Sequence, residues 1–477
     1  MKVSAEILLS QLDGSQPVIY DGVEIIGDLD LSPSKYDKEN KILKLINSSL
    51  TITNSTFHGG IYSDQALIMK PMKIEGCIIE GDVRLQNVSF LDLAGFNSTS
   101  FQKEAYFAQL NFSGDANFRS CTFQAEGDFS GSTFMSVANF DEAKFDAARF
   151  TDCQFKEYSR FGKSIFQQSA DFEGSEFFDG ASFNQAQFNG KAFLGRTNFH
   201  GKTYFTQSNF KDSASFSGSS FGDTYFNNAN FAEEVDFLNS SFIGNVSFAG
   251  ARFQKDALFY KAIFNSIINL HGCNYSKLVL HWNSIRNRIK PEETIYKDLI
   301  ENYKGLFWIS DVNGCYFDFR QWKQSTKPWT DITKIPDIFL ELYCGYGTKP
   351  LNALFWLGLF VLLFGIYYWL KSGINKIIKP AHGERIKLVA KKVSDCTYDI
   401  EYTPEVNYEK SSRLRSLFFS LKFSLYVMAS KKAEDLQINE RINRRIVDVE
   451  RWLGRGLFVI FMYYVGSLVI SYFTPHP

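Results

Sequence analysis

The sequence predicts a mainly β solenoid followed by helices, the last of them in a membrane, and three observations carry the prediction. Phenylalanine recurs without a gap from Phe90 through Phe96, Phe101, Phe107 and Phe112 to Phe264, in steps of five or six residues. The residue two places before each is nearly always small, as Ala116 before Phe118, Ala138 before Phe140 and Ala229 before Phe231. Two uncharged apolar runs, Leu351 to Leu370 and Gly456 to Phe473, stand near the other end. A helix repeats every ~3.6 residues and a strand every ~2, so neither yields this period. A stacked repeat does.

Each unit reads small, polar, Phe, then polar or turn-forming residues. A short strand points its Phe inward, and Gly, Asn, Ser or Asp turns the corner. Four units close one square turn, and backbone hydrogen bonds join each turn to the next. Units such as Asp115-Ala116-Asn117-Phe118 and Cys121-Thr122-Phe123 resemble the pentapeptide-repeat family, over about half the chain. The resemblance implies a right-handed quadrilateral β-helix. The family's commonest pattern has Leu or Phe every five residues, whereas five and six alternate here. That alternation makes 22 residues per turn and predicts the extra residue at two opposite corners. The 36 rungs from Ile74 to Phe264 make nine turns, a rod ~43 Å long at ~4.8 Å per turn. Phe118, Phe129, Phe140, Phe172, Phe183, Phe216, Phe237 and Phe248 represent the structural ladder. Each such ring removes ~150–250 Å² from water.

Residues 1–73 read as an N-terminal helix, with Ile7, Leu8, Leu9 and Leu12 on one side, and irregular first coils. The β-helix proper spans 74–270. Residues 271–348 read as a helical cap and junction, because an open end would expose strand edges. Pro291 opens a helix carrying Ile295, Leu299, Tyr303 and Leu306. This region resembles the cap that follows the repeats in membrane-linked members of the family. Residues 349–477 form the expected membrane domain, a transmembrane hairpin with helices at about 351–370 and 456–473. Tyr367, Tyr368 and Trp369 mark one interface. Between the spans come a basic, extended stretch from Lys371 to Lys410 and an apolar run at about 416–429. That run is short for a span and reads as a re-entrant or interfacial helix.

Helix, short helix, helix resembles the two-transmembrane potassium-channel pore domain in degenerate form. Phe419, Ser420, Lys422, Phe423 and Ser424 form the candidate pore-helix segment, and Val449-Glu450-Arg451-Trp452-Leu453-Gly454 resembles the start of the inner helix. The filter departs from the pattern. A potassium filter needs a run like TVGYG whose carbonyls replace water around the ion, and Tyr426-Val427-Met428-Ala429-Ser430-Lys431-Lys432 stands there instead. Gly345-Tyr346-Gly347 has filter-like letters but precedes the first span and reads as a flexible loop leading into the membrane. Gly201-Lys202-Thr203 ends like a phosphate loop, yet Arg196 stands where the first glycine belongs and the ladder leaves no strand–loop–helix context.

Nothing points to an enzyme, a cofactor or a metal. The six histidines are scattered singly, without ligand spacing. The seven cysteines form no CxxC pair, and Cys121 and Cys153 fall at the small position of the ladder, where buried thiols are expected. Net charge is −1, and the stretch 74–264 holds 23 acidic against 15 basic residues. That is far from the duplex density of one charge per ~1.7 Å, so no nucleic acid and no DNA mimicry is expected. The expected partners are the lipid bilayer, further copies around a pore axis, and an unidentified protein on the β-helix if the hairpin only anchors. The N-terminus lacks an apolar run suited to a secretory signal. The repeat domain of a multi-pass membrane protein is therefore expected in the cytoplasm. Lys371, Lys376 and Lys379, with Arg444, Arg445, Arg451 and Arg455, pull against that orientation under the positive-inside rule. Two functions follow: a membrane-anchored, non-enzymatic protein with a divergent channel-like domain, or a membrane-tethered interaction scaffold.

Overall fold

The computed structural model describes residues 1–14, 16–33, 43–372, 386–394, 397–404, 413–429 and 442–473, and at 372, 386–394, 397–404, 413–416 and 465–473 it describes the backbone alone. The chain divides into two units, Met1–Cys315 and Tyr316–Pro477.

The first unit is a parallel β-solenoid of about twelve turns. A strand at Lys2–Ser4 leads into α1 (Ala5–Leu12), where the Ser4 hydroxyl accepts from the Glu6 N–H at 3.3 Å and supplies the cap a first turn needs. Ala5, Leu8 and Leu12 are buried, while Ile7, expected on the same side, is half exposed. One face of the solenoid is a 12-stranded sheet and another an 11-stranded sheet. The other two faces join at one corner into a 21-stranded sheet. Most pairs lie 22 residues apart, as Ala94↔Ala116, Phe90↔Phe112 and Phe101↔Phe123.

Turns precede and follow the nine counted between Ile74 and Phe264. Val18–Asp21 already pairs with Leu50–Thr53, and Leu50–Thr53 with Met72–Glu75. These are the coils expected within residues 1–73, irregular in sequence because their rungs are aliphatic and 32 residues separate Val18 from its partner Leu50. At the other end, strand Asn274–Val279 adds a further rung with Leu278 buried.

Corners explain the alternation of five and six. At two opposite corners of the coil the step is five residues and one of them takes a left-handed backbone, as Ser98 (φ 55°), Gln109 (φ 59°) and Ser120 (φ 56°), whereas the five-residue steps Phe145 to Phe150 and Phe221 to Phe226 have no such residue. The sixth residue appears at the two remaining corners, opposite each other around the coil, in every turn from Phe90 to Phe264 except at those two steps.

All eight representative ladder rings have no exposed surface. Rings on one face stack one turn apart, as Phe118–Phe140 at 5.1 Å and 3°. Rings from opposite faces meet edge to face, as Phe118–Phe129 at 5.0 Å and 83° and Phe129–Phe140 at 5.1 Å and 82°. Both arrangements suit the aromatic quadrupole. The ladder is not unbroken phenylalanine. Phe193 is 40% exposed and Leu194 fully buried, because Ala192 points inward and strand alternation turns the next residue out. Leu194 is the rung there.

A polar column runs inside the tight corners. The Ser132 hydroxyl donates to the Phe107 carbonyl at 2.6 Å and accepts the Leu110 N–H at 2.9 Å. Thr197 donates likewise to the Phe172 carbonyl at 2.9 Å. Cys121 and Cys153 occupy the same column, fully buried, their thiols on the Phe96 and Phe129 carbonyls at 2.8 and 3.0 Å. Burial holds both thiols well above the usual cysteine range. Ser132→Ala leaves the Leu110 N–H and the Phe107 carbonyl without this partner in a dry interior. The expected loss is ~1–3 kcal/mol of unfolding free energy, read from the denaturation midpoint of the full chain.

Helices α2 (Trp282–Ile285) and α3 (Glu293–Gly305) and the start of α4 (Ile309–Thr326) close the far end of the solenoid. Asn302 on α3 reaches the last strand with both amide atoms, accepting the Leu278 N–H at 2.9 Å and donating to its carbonyl at 2.8 Å. That side chain does for the edge what a further strand would do. Trp282, Ile285, Leu299 and Tyr303 are buried, and the Asp311 carboxylate accepts the Trp282 N–H at 2.7 Å.

The second unit is mainly helical. It contains the rest of α4, then α5 (Lys334–Cys344), α6 (Pro350–Ser372), α7 (Arg413–Ala429) and α8 (Arg444–Phe473). An antiparallel hairpin, Ile386–Ser394 with Thr397–Pro404, lies between α6 and α7, within the stretch expected to be merely extended. Gly345-Tyr346-Gly347 corrects a second expectation. All three residues are buried, and all have left-handed backbones (φ 57°, 56° and 92°). A packed corner, not a flexible loop, joins α5 to α6.

Candidate functional site

The phosphate-loop lookalike is a corner of the coil. A Cβ at Gly201 would sit 2.3 Å from the carbonyl carbon of Asp179 in the turn before. That glycine is required for close packing of turns, and Thr203 is buried in the strand Lys202–Tyr204. Among the described residues, no three His, Cys, Asp or Glu side chains gather to hold a metal ion. His58, His271 and His281 pair with Glu80, Glu292 and Asp311 at 2.9, 2.8 and 3.2 Å.

One cluster differs from surface pairing. Glu450 on α8 has no exposed surface. The Tyr368 hydroxyl of α6 donates to one carboxyl oxygen and the Ser424 hydroxyl of α7 to the other. Helical spacing brings these groups together. Gly365 and Tyr368 are three apart on α6. Leu421, Ser424 and Met428 follow one stripe of α7, and Val447, Glu450 and Gly454 one stripe of α8. The glycines let α7 approach closely on both sides. A Cβ at Gly365 would lie 2.6 Å from Leu421 Cδ2, and one at Gly454 2.7 Å from Met428 Cγ.

The surroundings are apolar. Val427, Ile442 and Val447 are buried with Tyr368, and Phe364, Tyr367 and Phe423 pack against them. Arg451 is engaged by Asp448 at 2.9 Å, and the Arg455 Nε–H donates to the Met428 carbonyl at 3.1 Å. Burial therefore raises the Glu450 carboxyl to about 7, against the opposing pull of the Ser424 and Tyr368 hydrogen bonds. A carboxyl so placed can bind and release a proton near neutrality.

The candidate pore-helix residues separate on α7. Ser424 enters the cluster, and Phe423 meets Tyr368 edge to face at 5.0 Å. Ser420 is also buried, whereas Phe419 and Lys422 are exposed. Lys431 and Lys432, at the place of a filter, lie outside the described residues. Sequence reasoning placed Glu450 only at the start of an inner helix and Tyr368 only at a membrane interface. The signal available was an acidic residue on the Val447–Gly454 stripe of a helix that is otherwise apolar on that side.

The α6 segment Pro350–Lys371 is 22 residues long with a mean hydropathy of 2.0, long and apolar enough to cross a membrane. Leu417–Ala429 is a shorter apolar helix. The second expected span, 456–473, falls on α8, and its side chains from 465 onward lie outside the described residues. The expected transmembrane hairpin therefore reduces to one candidate span among the described residues.

Parallel strands in register, four-sided turns of about 22 residues and a dry aromatic core define a β-solenoid of the repeat class. The family model for pentapeptide repeats (9 copies) matches residues 74–122, 107–154, 129–176, 194–241 and 226–274. The repeats so matched form a pentapeptide-repeat β-solenoid, and a helical C-terminal region follows it. Solenoids of this kind are generally structural or interaction proteins, and no catalytic family is indicated. No curated protein matches the chain.

Proposed function

We propose that this is a membrane-anchored, non-enzymatic pentapeptide-repeat protein whose C-terminal unit is a divergent ion-channel-like domain acting as an oligomer. The observation that carries the reading is uncovered apolar surface on the helices. Leu351, Phe355, Leu363 and Leu370 of α6 are 58–76% exposed. Phe418 and Leu425 of α7 and Val459 and Tyr463 of α8 are likewise exposed. A bilayer, or neighbouring copies within one, would cover them. A long apolar helix, a short apolar helix and a second long helix follow the order of a two-span pore, and the repeat domain would then stand in the cytoplasm.

The test is fractionation and reconstitution of the full chain beside a chain lacking residues 349–477. The full chain is expected in the membrane fraction, oligomeric in detergent, and conducting in planar bilayers. A full chain that stays in the aqueous fraction overturns the anchor. A membrane-bound monomer without current in any salt overturns the pore.

A second reading, a tethered scaffold, is favoured by exposed apolar residues that recur along one corner of the solenoid, interspersed with Ser113, Lys156, His200 and Gly222 at the equivalent positions of other turns. Leu91, Met135, Phe178 and Ile243 stand there at 37–59% exposure, aligned by the turn-to-turn register. Equal capture of a partner by the chain without 349–477 would support this reading. Loss of capture would count against it.

A further inference from the structure

We propose that Glu450 is a proton-operated latch: as the neutral acid it stays between Tyr368 and Ser424, and as the carboxylate it draws in water and releases α7 from α6 and α8. Its consequence rests on the reading of this unit as a membrane-embedded assembly; its chemistry rests on the cluster alone.

The first argument is connectivity. The two carboxyl oxygens are taken by two different helices, so one titratable group ties all three together. In the neutral acid its own O–H turns one of those bonds round, and both remain. The second argument is the lack of a compensating cation among the described residues facing it. From α6 the facing group is Tyr368, and Lys371 is exposed at the helix end. From α7 come Ser420 and Ser424, with Lys422 and Tyr426 exposed. On α8, Arg451 is held by Asp448, Arg455 by the Met428 carbonyl, and Arg444 and Arg445 are exposed. A carboxylate buried without a cation must shed its charge or gain water. The third argument is the seating of α7. Leu421 presses on Gly365 and Met428 on Gly454, so hydrating the carboxylate between these helices disturbs the seating of α7.

The sign follows from linkage. The carboxyl in the closed unit titrates at about 7, above its ordinary value of 4.5. The closed arrangement is thus fully favoured below pH 4.5 and loses that advantage as pH rises through 7. The closed-to-open ratio is expected to fall on the order of 100-fold across that window. The proton released goes to solvent.

The test uses the full chain in detergent micelles and again in lipid nanodiscs. Infrared spectra are expected to show a carboxylic-acid band that disappears as pH passes 7 and is missing from Glu450→Gln. Amide hydrogen exchange across 413–429, corrected for the intrinsic pH dependence, is expected to rise over the same range in the native chain and to stay flat in Glu450→Gln. A band titrating near the ordinary value of 4.5, flat exchange in the native chain, or the same rise in Glu450→Gln each overturns the latch. If Glu450→Gln does not fold, Ser424→Ala serves. It removes a bond that favours the carboxylate, so the exchange transition should move to higher pH, and an unmoved midpoint overturns the latch. Neither readout uses membrane partition or current. A chain that inserts but shows flat exchange sinks the latch alone, and a chain that opens with pH but carries no current sinks the pore alone.

Discussion

Replacing Phe140 by Ala is expected to lower the unfolding free energy by ~3–5 kcal/mol, the upper range for a buried aromatic. The ring has no exposed surface. It stacks on Phe118 at 5.1 Å and on Phe161 at 5.0 Å, one turn to either side. It also meets Phe129 and Phe150 edge to face, each at 5.1 Å, from the opposite face. A cavity there cannot close easily, because the backbone of each neighbouring turn is held in register by its own hydrogen bonds: the Phe140 N–H donates to the Arg160 carbonyl and the Phe118 N–H to the Asn139 carbonyl, both at 2.7 Å. A solenoid is nearly one-dimensional, so the damage should stay local. Amide exchange should lose protection in the turns holding Phe118 to Phe161 first. Phe193→Ala is the control. Its ring is 40% exposed, and the expected change is within ~0.5 kcal/mol. Equal losses from the two substitutions would contradict the assignment of Leu194 as the rung.

Gly180→Ala is expected to cost about 3 kcal/mol or more, from two effects that add at one position. Gly180 has φ +98°, where side chains are strained. Its new Cβ would also lie 2.2 Å from the carbonyl oxygen of Lys202 and 2.8 Å from its nitrogen. Those are backbone atoms of the next turn, in register with Gly180, so no side chain can swing aside. Equilibrium denaturation should register the loss, with exchange of the strands at Gly180–Ser182 and Lys202–Tyr204 accelerated together. Gly305→Ala, at a site with nothing within 4 Å of the new Cβ, should leave stability unchanged or slightly raised.

The ladder was legible because each inward residue touches its counterpart one turn away, and one turn is a nearly constant number of residues. Tertiary neighbours therefore appear as a period in the sequence. The same logic explains what was missed. The aliphatic turns before Ile74 were read only as irregular coils, since they share the register but not the phenylalanine and 32 residues separate the first pair. At Leu194 the period held while the residue type changed, so Phe193 attracted the reading although strand alternation turned it outward. Gly345-Tyr346-Gly347 was read by composition, which does not reveal whether left-handed residues are packed or loose.

The candidate site was only half legible. Ser424 was singled out because its segment resembled a pore helix, but its partners were not. Tyr368 and Glu450 stand 82 residues apart in the chain, and Ser424 and Glu450 26 apart, with no repeat to relate them. Their meeting depends on which stripes of α6, α7 and α8 face inward and on glycines that let the helices close. By itself the sequence determined the solenoid and its aromatic core, because those contacts recur at a constant offset along the chain. Only the tertiary structure decided that Glu450 would be buried between two hydroxyls, because that placement follows from three helices packing at unrelated points of the chain.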